Sequence, residues 1–316
     1  MTTLSTPTNA SDAGGSLPSA ASSGGATATD LLRTAGLDAG EVQALVRATL
    51  AEDLGERGDL TSAATVPDDA TLSVRWVARQ AGVVAGLPVL ALIVEEHLGL
   101  PVVVHTYDGD LVDRRTVLAS LHGPARGILE IERTSLNLLG HLSGVATLTR
   151  RWVDAVAGTG AQIRDTRKTM PLLRALQKYA VRCGGGVNHR SGLYDAVLVK
   201  DNHVAAAGGI GPALDAALAA YSDAQVVVQI EVDDLAQLRE ALAHGATQVL
   251  LDNMPPAVLS EAVALTRATA PGVLLEASGG LALATAREVA ETGVDFLAVG
   301  ALTHSVPQLD IGLDAG

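Results

Sequence analysis

Aromatic residues and cysteine are both scarce in this chain of 316 residues. Phe, Trp and Tyr make up 2% of the sequence, which argues against a base-stacking nucleic-acid surface because stacking needs aromatic faces. The single cysteine, Cys183, excludes an intrachain disulfide and any cysteine-based zinc cluster. The formal net charge of -13 also disfavours a nucleic-acid partner, since nucleic-acid-binding domains are usually basic.

The sequence also lacks a membrane span and a secretory signal. Its longest apolar run, 81–94, is shorter than the roughly 20 residues that a bilayer-spanning helix needs. The N-terminus has no basic segment followed by an apolar one, as a signal peptide would have. We therefore expect a cytoplasmic protein that binds neither membranes nor nucleic acid.

The second half of the chain alternates between predicted strands and predicted helices. Hydrophobic residues make up 48% of the sequence, as expected for parallel strands that are apolar on both faces. Alternating strands and helices imply a parallel sheet with right-handed crossovers. Neither a dinucleotide-type glycine fingerprint nor a Walker A pattern is present, so we favour a closed or partial barrel over a Rossmann sheet. The predicted strands are 161–165, 195–200, 226–231, 248–252, 273–277 and 295–299.

The first half mixes strands and helices irregularly, which predicts a separate α+β region. Residues 1–29 carry almost no charge or large apolar side chains, so we expect a disordered tail. A helical pattern begins at Asp30, and a long helical pattern over 131–156 links the two halves. Between them we predict strands at 71–79, 81–85, 101–106 and 115–121 and a helix at 88–98.

Basic side chains are concentrated in the segment 162–203, although the chain as a whole is acidic. The segment holds all three lysines of the chain and surrounds the glycine turn 184–186. Such a concentration indicates a site for a small anion with several negative charges. The cations of the segment are Arg164, Arg167, Lys168, Arg174, Lys178, Arg182, Arg190 and Lys200.

Several of these cations lie where strands of a barrel would end, which is where barrel enzymes place their chemistry. Arg supplies a planar fork for a carboxylate or phosphate, and Lys supplies a point charge. The alternative for Arg167, Lys168, Arg190 and Lys200 is a solvated charge cluster, and His189 is alternatively a packed histidine. For Arg174, Lys178 and Arg182, which recur every four residues after Pro171, we favour a solvated helix face or a subunit contact.

Two carboxylates and two glycine turns complete the strand-end set. Glu231 and Asp252 suit a shared Mg²⁺, and the alternative is a structural salt bridge to nearby cations. The turn 278–280 precedes a predicted helix at 282–292, and a helix start suits a phosphate. Gly300 closes the next predicted strand. The alternative for both glycine sites is an ordinary tight turn.

Ten short segments of the chain resemble nicotinate-nucleotide pyrophosphorylases (carboxylating), the quinolinate phosphoribosyltransferases of the type II phosphoribosyltransferase family. The similarity covers about residues 40–312 in the family's order. Leu172 departs from the pattern, which has a glycine there, and residues 1–29 extend beyond the family core. The matching segments are 52–55, 58–61, 132–134, 165–169, 178–182, 184–190, 200–203, 230–233, 251–254 and 277–280.

This resemblance implies both a fold and a reaction. The implied fold is an N-terminal α/β sandwich domain, 30–138 with 302–316 returning to it, and an incomplete α/β barrel of six or seven parallel strands at 139–301. The implied reaction joins quinolinate and phosphoribosyl pyrophosphate to give nicotinate mononucleotide, pyrophosphate and CO₂, a step of de novo NAD biosynthesis.

The resemblance also implies a role for each site residue. Arg167, His189, Arg190 and Lys200 would line the quinolinate pocket. Arg133 would reach the quinolinate of a neighbouring subunit, which makes a homodimer the smallest active unit and leaves higher oligomers open. The remaining residues would serve phosphoribosyl pyrophosphate: Lys168 near both substrates, Glu231 and Asp252 at the ribose and its Mg²⁺, and Ser278, Gly279, Gly280 and Gly300 at the 5′-phosphate.

Two other functions are compatible with parts of the pattern. A Schiff-base aldolase would use Lys200 as its nucleophile, with neighbouring cations lowering the pKa of that lysine. A non-catalytic or altered-specificity relative, such as the pyrophosphorylase-like proteins of molybdate transport, would keep the fold alone. The joint presence of the cations and His189 argues against a relaxed pocket of that kind.

Overall fold

The computed structural model describes residues 27–222 and 226–316. Its N-terminal region is built from five helices and five strands within these ranges, and the last helix leads into the second region. In chain order these elements are α1 (Ala28–Thr34), α2 (Ala39–Leu54), α3 (Leu60–Thr65), β1 (Thr71–Ala78), β2 (Gly82–Val83), α4 (Leu87–Leu98), β3 (Val103–Val104), β4 (Leu111–Val112), β5 (Val117–Pro124) and α5 (Ala125–Ala155).

The second region alternates strands and helices until the final strand. Its elements are β6 (Gln162–Arg164), α6 (Arg174–Cys183), β7 (Ala196–Val199), α7 (Asp201–Ala207), α8 (Ile210–Ala220), β8 (Val227–Val232), α9 (Leu235–Ala243), β9 (Gln248–Asp252), α10 (Pro256–Thr269), β10 (Leu274–Ser278), a 3-10 helix (Leu283–Thr285), α11 (Ala286–Glu291), β11 (Phe296–Ala298), α12 (Ala301–His304) and β12 (Ile311–Ala315).

The N-terminal sheet is antiparallel and includes the end of the chain. Its strand order is β12-β1-β5-β3, and β1 pairs with β12 on one side and β5 on the other. Trp76 on β1 is fully buried, and its indole N–H donates to Ser135 Oγ on α5 at 3.0 Å. This bond satisfies the buried indole and fixes α5 against the sheet.

The second sheet is parallel and forms an open barrel. Its order is β6-β11-β10-β9-β8-β7, so β6 and β7 are its two edges in the part of the chain described. Glu276 on β10 contacts Arg164 on β6 at 2.7 Å and Gln229 on β8 at 3.1 Å, and each contact crosses an intervening strand. Side chains two strands apart meet because the sheet curves. The predicted fold class is therefore confirmed.

Helix α5 is held to the returning chain by two glycines. A Cβ on Gly144 would lie 2.3 Å from the carbonyl oxygen of Pro307, and one on Gly140 would lie 3.0 Å from that of Leu309. The amide of Leu309 also donates to the carbonyl oxygen of Gly140 at 2.9 Å. This close approach brings the chain back toward β1, where β12 joins the N-terminal sheet.

Most predicted elements are present, and the differences lie at their ends. Helix α1 begins at Ala28, two residues before the predicted start, because Thr27 and Asp30 form a capping box. The rest of the predicted tail, 1–26, lies outside the described residues. Helix α5 begins at Ala125 instead of 131, and the predicted helix at 282–292 is a 3-10 turn followed by α11. No helix in the described ranges is long and apolar enough to cross a membrane.

Candidate active site

A pocket of about 730 Å³ opens at the carboxyl ends of the barrel strands. Parallel strands bring their carboxyl ends to one edge of a sheet, so residues far apart in sequence meet there. All the predicted site residues except Arg133 line it. These are Arg167, Lys168, His189, Arg190, Lys200, Glu231, Asp252, Ser278, Gly279, Gly280 and Gly300.

Arg133 lies elsewhere. It is on α5, its side chain is exposed, and it does not line the pocket of its own chain. Its predicted role in a neighbouring subunit therefore stays a prediction.

Arg167 and Arg190 give the pocket its strongest preference for anions. Burial lowers the pKa of Arg190, and the positive charge of Arg167 lowers it further. The Nε atom of Arg167 is buried and has no hydrogen-bond partner. An anion between the two guanidinium groups would relieve their repulsion and accept the unused N–H.

Lys200 and Glu231 form an ion pair at the ends of the neighbouring strands β7 and β8. Lys200 Nζ donates to Glu231 Oε2 at 2.6 Å, with the lysine side chain 45% exposed and the glutamate 9%. The salt bridge named as the alternative for Glu231 is therefore present. Its lysine is open enough to exchange this partner for a substrate carboxylate.

The fit of a metal ion depends on Glu231 and Asp252, because the described residues contain no cluster of three or more His, Cys, Asp or Glu side chains suited to a metal. Asp252 Oδ2 accepts from Asn253 Nδ2 at 2.5 Å. Mg²⁺ is commonly held by one or two carboxylates together with substrate phosphate oxygens and water. The two carboxylates suit such a shared site and do not form a protein cage.

The glycine turn after β10 has a left-handed backbone and packs closely against Asn253. Gly279 and Gly280 have φ of 86° and 59°, and a Cβ on Gly279 would lie 2.2 Å from Asn253 Oδ1. The turn does not open a helix as predicted, because the 3-10 helix begins only at Leu283. Successive backbone N–H groups in such a turn can still bind an anion as a nest.

Two ionisable residues of the pocket were not assigned a role from the sequence. His304 lines the pocket one helical turn after Gly300, and a Cβ on Gly300 would lie 3.1 Å from His304 Nε2. The four-residue spacing was the available signal. Glu276, near the end of the predicted strand 273–277, also lines the pocket.

The prediction of a solvated face on α6 is wrong, and the alternative of a subunit contact stays a prediction. Lys178 is 3% exposed and pairs with the buried Asp165. The two arginines of this face are also engaged within the chain. Arg174 donates to the carbonyl oxygen of Ser191 at 3.0 Å, and Arg182 donates to that of Ala35 at 2.9 Å. Helical spacing places the three cations on one face but does not reveal what that face contacts.

Comparison with known proteins identifies the chain's relatives. The family model "Quinolinate phosphoribosyl transferase, C-terminal domain" matches residues 145–314, and the corresponding N-terminal domain matches 59–143. The chain belongs to the quinolinate phosphoribosyltransferase family.

Members of this family are similar to the chain over most of their length. A nicotinate-nucleotide pyrophosphorylase [carboxylating] of Mycobacterium leprae is 51% identical over 272 residues, which are 85% of this chain and 95% of the relative. A probable nicotinate-nucleotide pyrophosphorylase [carboxylating] of Bacillus subtilis is 42% identical, covering 83% of this chain and 89% of the relative. The solved structure of the Francisella tularensis nicotinate-nucleotide pyrophosphorylase superimposes with a TM-score of 0.83 at 36% identity, covering 89% of this chain and 98% of that one.

Leu172 is the residue at which the resemblance leads us to expect a glycine. Its φ is 64°, in the left-handed region, and its side chain is 88% exposed. Left-handed backbone is costly for a residue with a Cβ, so the local geometry is one that suits glycine. The position follows the pocket residues Arg167 and Lys168 and precedes α6.

Proposed function

We propose that this chain transfers the phosphoribosyl group of phosphoribosyl pyrophosphate to quinolinate and releases CO₂. The products are nicotinate mononucleotide, pyrophosphate and CO₂, which makes the chain a glycosyltransferase of de novo NAD biosynthesis. The observation that carries the proposal is the pocket itself, in which Arg167, Lys168, Arg190 and Lys200 surround one cavity with Glu231 and Asp252. Family membership supports the same assignment.

Quinolinate is held by its two adjacent carboxylates. Arg167 and Arg190 present planar forks to them, and Lys200 turns from Glu231 to the second carboxylate. A hydrogen bond to a charged group contributes about 1.5–3 kcal/mol, so several such bonds select a dicarboxylate over a monocarboxylate. Nicotinate, which lacks the carboxylate at C2, leaves part of this cationic set unpaired.

Phosphoribosyl pyrophosphate occupies the other side of the pocket. The turn 278–280 and Gly300 bind its 5′-phosphate, and Lys168 lies between the two substrates. Loss of pyrophosphate leaves an oxocarbenium-like ribosyl centre, which the carboxylates of Glu231 and Asp252 stabilise. The pyridine nitrogen then bonds to C1 of the ribose. The resulting pyridinium stabilises the carbanion left at C2 as CO₂ departs, and a proton replaces the lost carboxylate.

The protein's main contribution to this chemistry is positioning. No strong base is needed, because the pyridine nitrogen attacks with its own lone pair. Mg²⁺, held by Glu231 and Asp252 together with substrate oxygens, would supply charge neutralisation to the leaving pyrophosphate.

A homodimer is also part of the proposal. Arg133 is exposed on α5 and has no place in the pocket of its own chain, which is consistent with a role at the quinolinate site of a second subunit. We also propose a cytoplasmic location, because phosphorylated substrates of this charge do not cross membranes unaided.

Incubation with quinolinate, phosphoribosyl pyrophosphate and Mg²⁺ tests the function, with nicotinate mononucleotide followed by chromatography and nicotinate as a parallel substrate. Product from quinolinate alone is expected. A Schiff-base aldolase would be labelled at Lys200 by borohydride in the presence of carbonyl substrates. The proposed function predicts no such label. Calorimetry with quinolinate tests the non-catalytic alternative. The proposed function predicts that quinolinate binds, and a folded protein that did not bind quinolinate would refute it.

A further inference from the structure

At the base of the pocket lies a row of polar side chains that the reaction as described does not use. Glu276 and Gln229 are 1% and 3% exposed and come from strands β10 and β8. Arg164 Nη1 donates to Glu276 Oε2 at 2.7 Å, and Gln229 Nε2 donates to the same oxygen at 3.1 Å. Gln229 Oε1 lies 2.8 Å from His189 Nε2. The row therefore runs from Arg164 to a residue that lines the pocket.

The row fixes the orientation of the Gln229 amide. The Glu276 carboxylate, charged beside the Arg164 guanidinium, can only accept hydrogen bonds. Gln229 must therefore point its NH₂ group at Glu276 and its carbonyl oxygen at His189. That carbonyl oxygen is also only an acceptor, so the proton of the neutral His189 ring belongs on Nε2.

The contact at Nδ1, the other ring nitrogen of His189, indicates independently that the ring proton is on Nε2. The backbone N–H of Arg190 donates to His189 Nδ1 at 2.7 Å, so Nδ1 must be unprotonated. Glu276 Oε1 is buried without a hydrogen-bond partner and lies 3.6 Å from His189 Nε2, so its negative charge also favours a proton on that nitrogen. Burial lowers the pKa of His189, which keeps the ring neutral near pH 7. Both ring nitrogens are thus engaged within the protein.

We infer that Glu276 and Gln229 are positioning residues that hold the His189 ring through Nε2, and that His189 in turn orients Arg190 for the carboxylates of quinolinate. His189 acts through the backbone of Arg190 and does not donate to the substrate. The inference rests on the proposed function, because it concerns the quinolinate end of the same pocket.

Histidine nitrogen NMR and ligand calorimetry test this relay together. In protein labelled with ¹⁵N-histidine, the His189 signals are assigned by their loss in a His189→Gln variant. The wild type is expected to show protonated Nε2 and unprotonated Nδ1. In Gln229→Met the Nε2 signal is expected to shift, because Nε2 loses its acceptor while the Arg190 N–H keeps Nδ1 unprotonated. The quinolinate dissociation constant should then rise about five- to tenfold, the effect of one buried hydrogen bond, with that of phosphoribosyl pyrophosphate within about twofold of wild type.

Gln248→Met is the matched control. Gln248 lies on β9 directly beside Gln229 in the strand register but does not line the pocket, so this variant should change neither readout. A wild-type His189 protonated on Nδ1 would overturn the relay, even if Gln229→Met failed to fold. An unchanged Nε2 signal and an unchanged quinolinate affinity in a folded Gln229→Met would overturn it as well. Failure of the proposed function is distinguishable, because it would appear as absent quinolinate binding by the wild type whatever the tautomer.

Discussion

Lys178 and Asp165 form a buried ion pair that ties helix α6 to the loop after strand β6. Their side chains are 4% and 0% exposed. Asp165 also accepts from the backbone N–H of His189 at 2.8 Å and from Asn188 Nδ2 at 2.6 Å. The pair therefore anchors the loop that carries His189 and Arg190 into the pocket.

Lys178→Met is expected to lower the free energy of unfolding by about 3–5 kcal/mol, because it leaves the Asp165 carboxylate buried without its cation. Urea denaturation measures the change. Arg287→Met is the control, since the Arg287–Glu291 pair is largely exposed and should contribute less than about 1 kcal/mol. Equal effects of the two substitutions would contradict the buried-pair account.

Replacing Leu172 tests the strain of its left-handed backbone. Leu172→Gly is expected to leave the free energy of unfolding within about 1 kcal/mol of wild type or to raise it, because relief at a φ of 64° offsets the greater freedom of glycine in the unfolded chain. Leu172→Val is the matched control and should be less stable than Leu172→Gly, since a β-branched residue tolerates this backbone poorly. The reverse order would argue against strain here.

The strands and the pocket were predictable from the sequence because they depend on short-range patterns. The strand predicted at 248–252 is β9 with the same bounds, since a strand buried on both faces reads as one apolar run. Strand β4 was not predicted, because its two residues are too few to show a period. The surroundings of Lys178 were not predictable, because helical spacing does not say which face is buried.

The row of polar side chains at the base of the pocket could not be predicted from the sequence, for a related reason. Gln229 and Glu276 lie inside apolar strands, and the sequence does not show which side chains point into the barrel when both faces are covered. Their meeting depends on the curvature of the sheet across β9. That curvature cannot be predicted from the sequence of the individual strands.

The stability of the protein should fall on acidification partly through His189. Burial lowers the pKa of this histidine below its ordinary value of 6.5, so the unfolded chain takes up the proton first as the pH falls. The stabilisation that comes from neutral His189 is present above about pH 6.5. It is lost as the pH falls below that value toward the folded-state pKa. The unfolding free energy of wild type minus that of His189→Gln should therefore decrease between about pH 7.5 and about pH 5.5. A difference that stays constant would show that His189 titrates alike in both states.

Mixing two inactive variants tests the shared site. Arg190→Ala is expected to abolish quinolinate binding in its own pocket, and Arg133→Ala to disable the pocket of its partner. After subunit exchange, a mixed dimer holds one pocket with both arginines intact, so partial activity should return, up to about a quarter of wild type if exchange is random. Arg133→Ala mixed with wild type controls for simple dilution. No recovery despite verified exchange would remove the shared-site proposal.

The most direct test of the central claim is the release of labelled CO₂ from quinolinate that carries ¹⁴C in its C2 carboxylate. The account predicts one CO₂ for each nicotinate mononucleotide formed, strictly dependent on phosphoribosyl pyrophosphate, and little product from nicotinate. Retention of the label with the nucleotide, or equal turnover of nicotinate, would contradict the assignment of this pocket to the decarboxylating transfer.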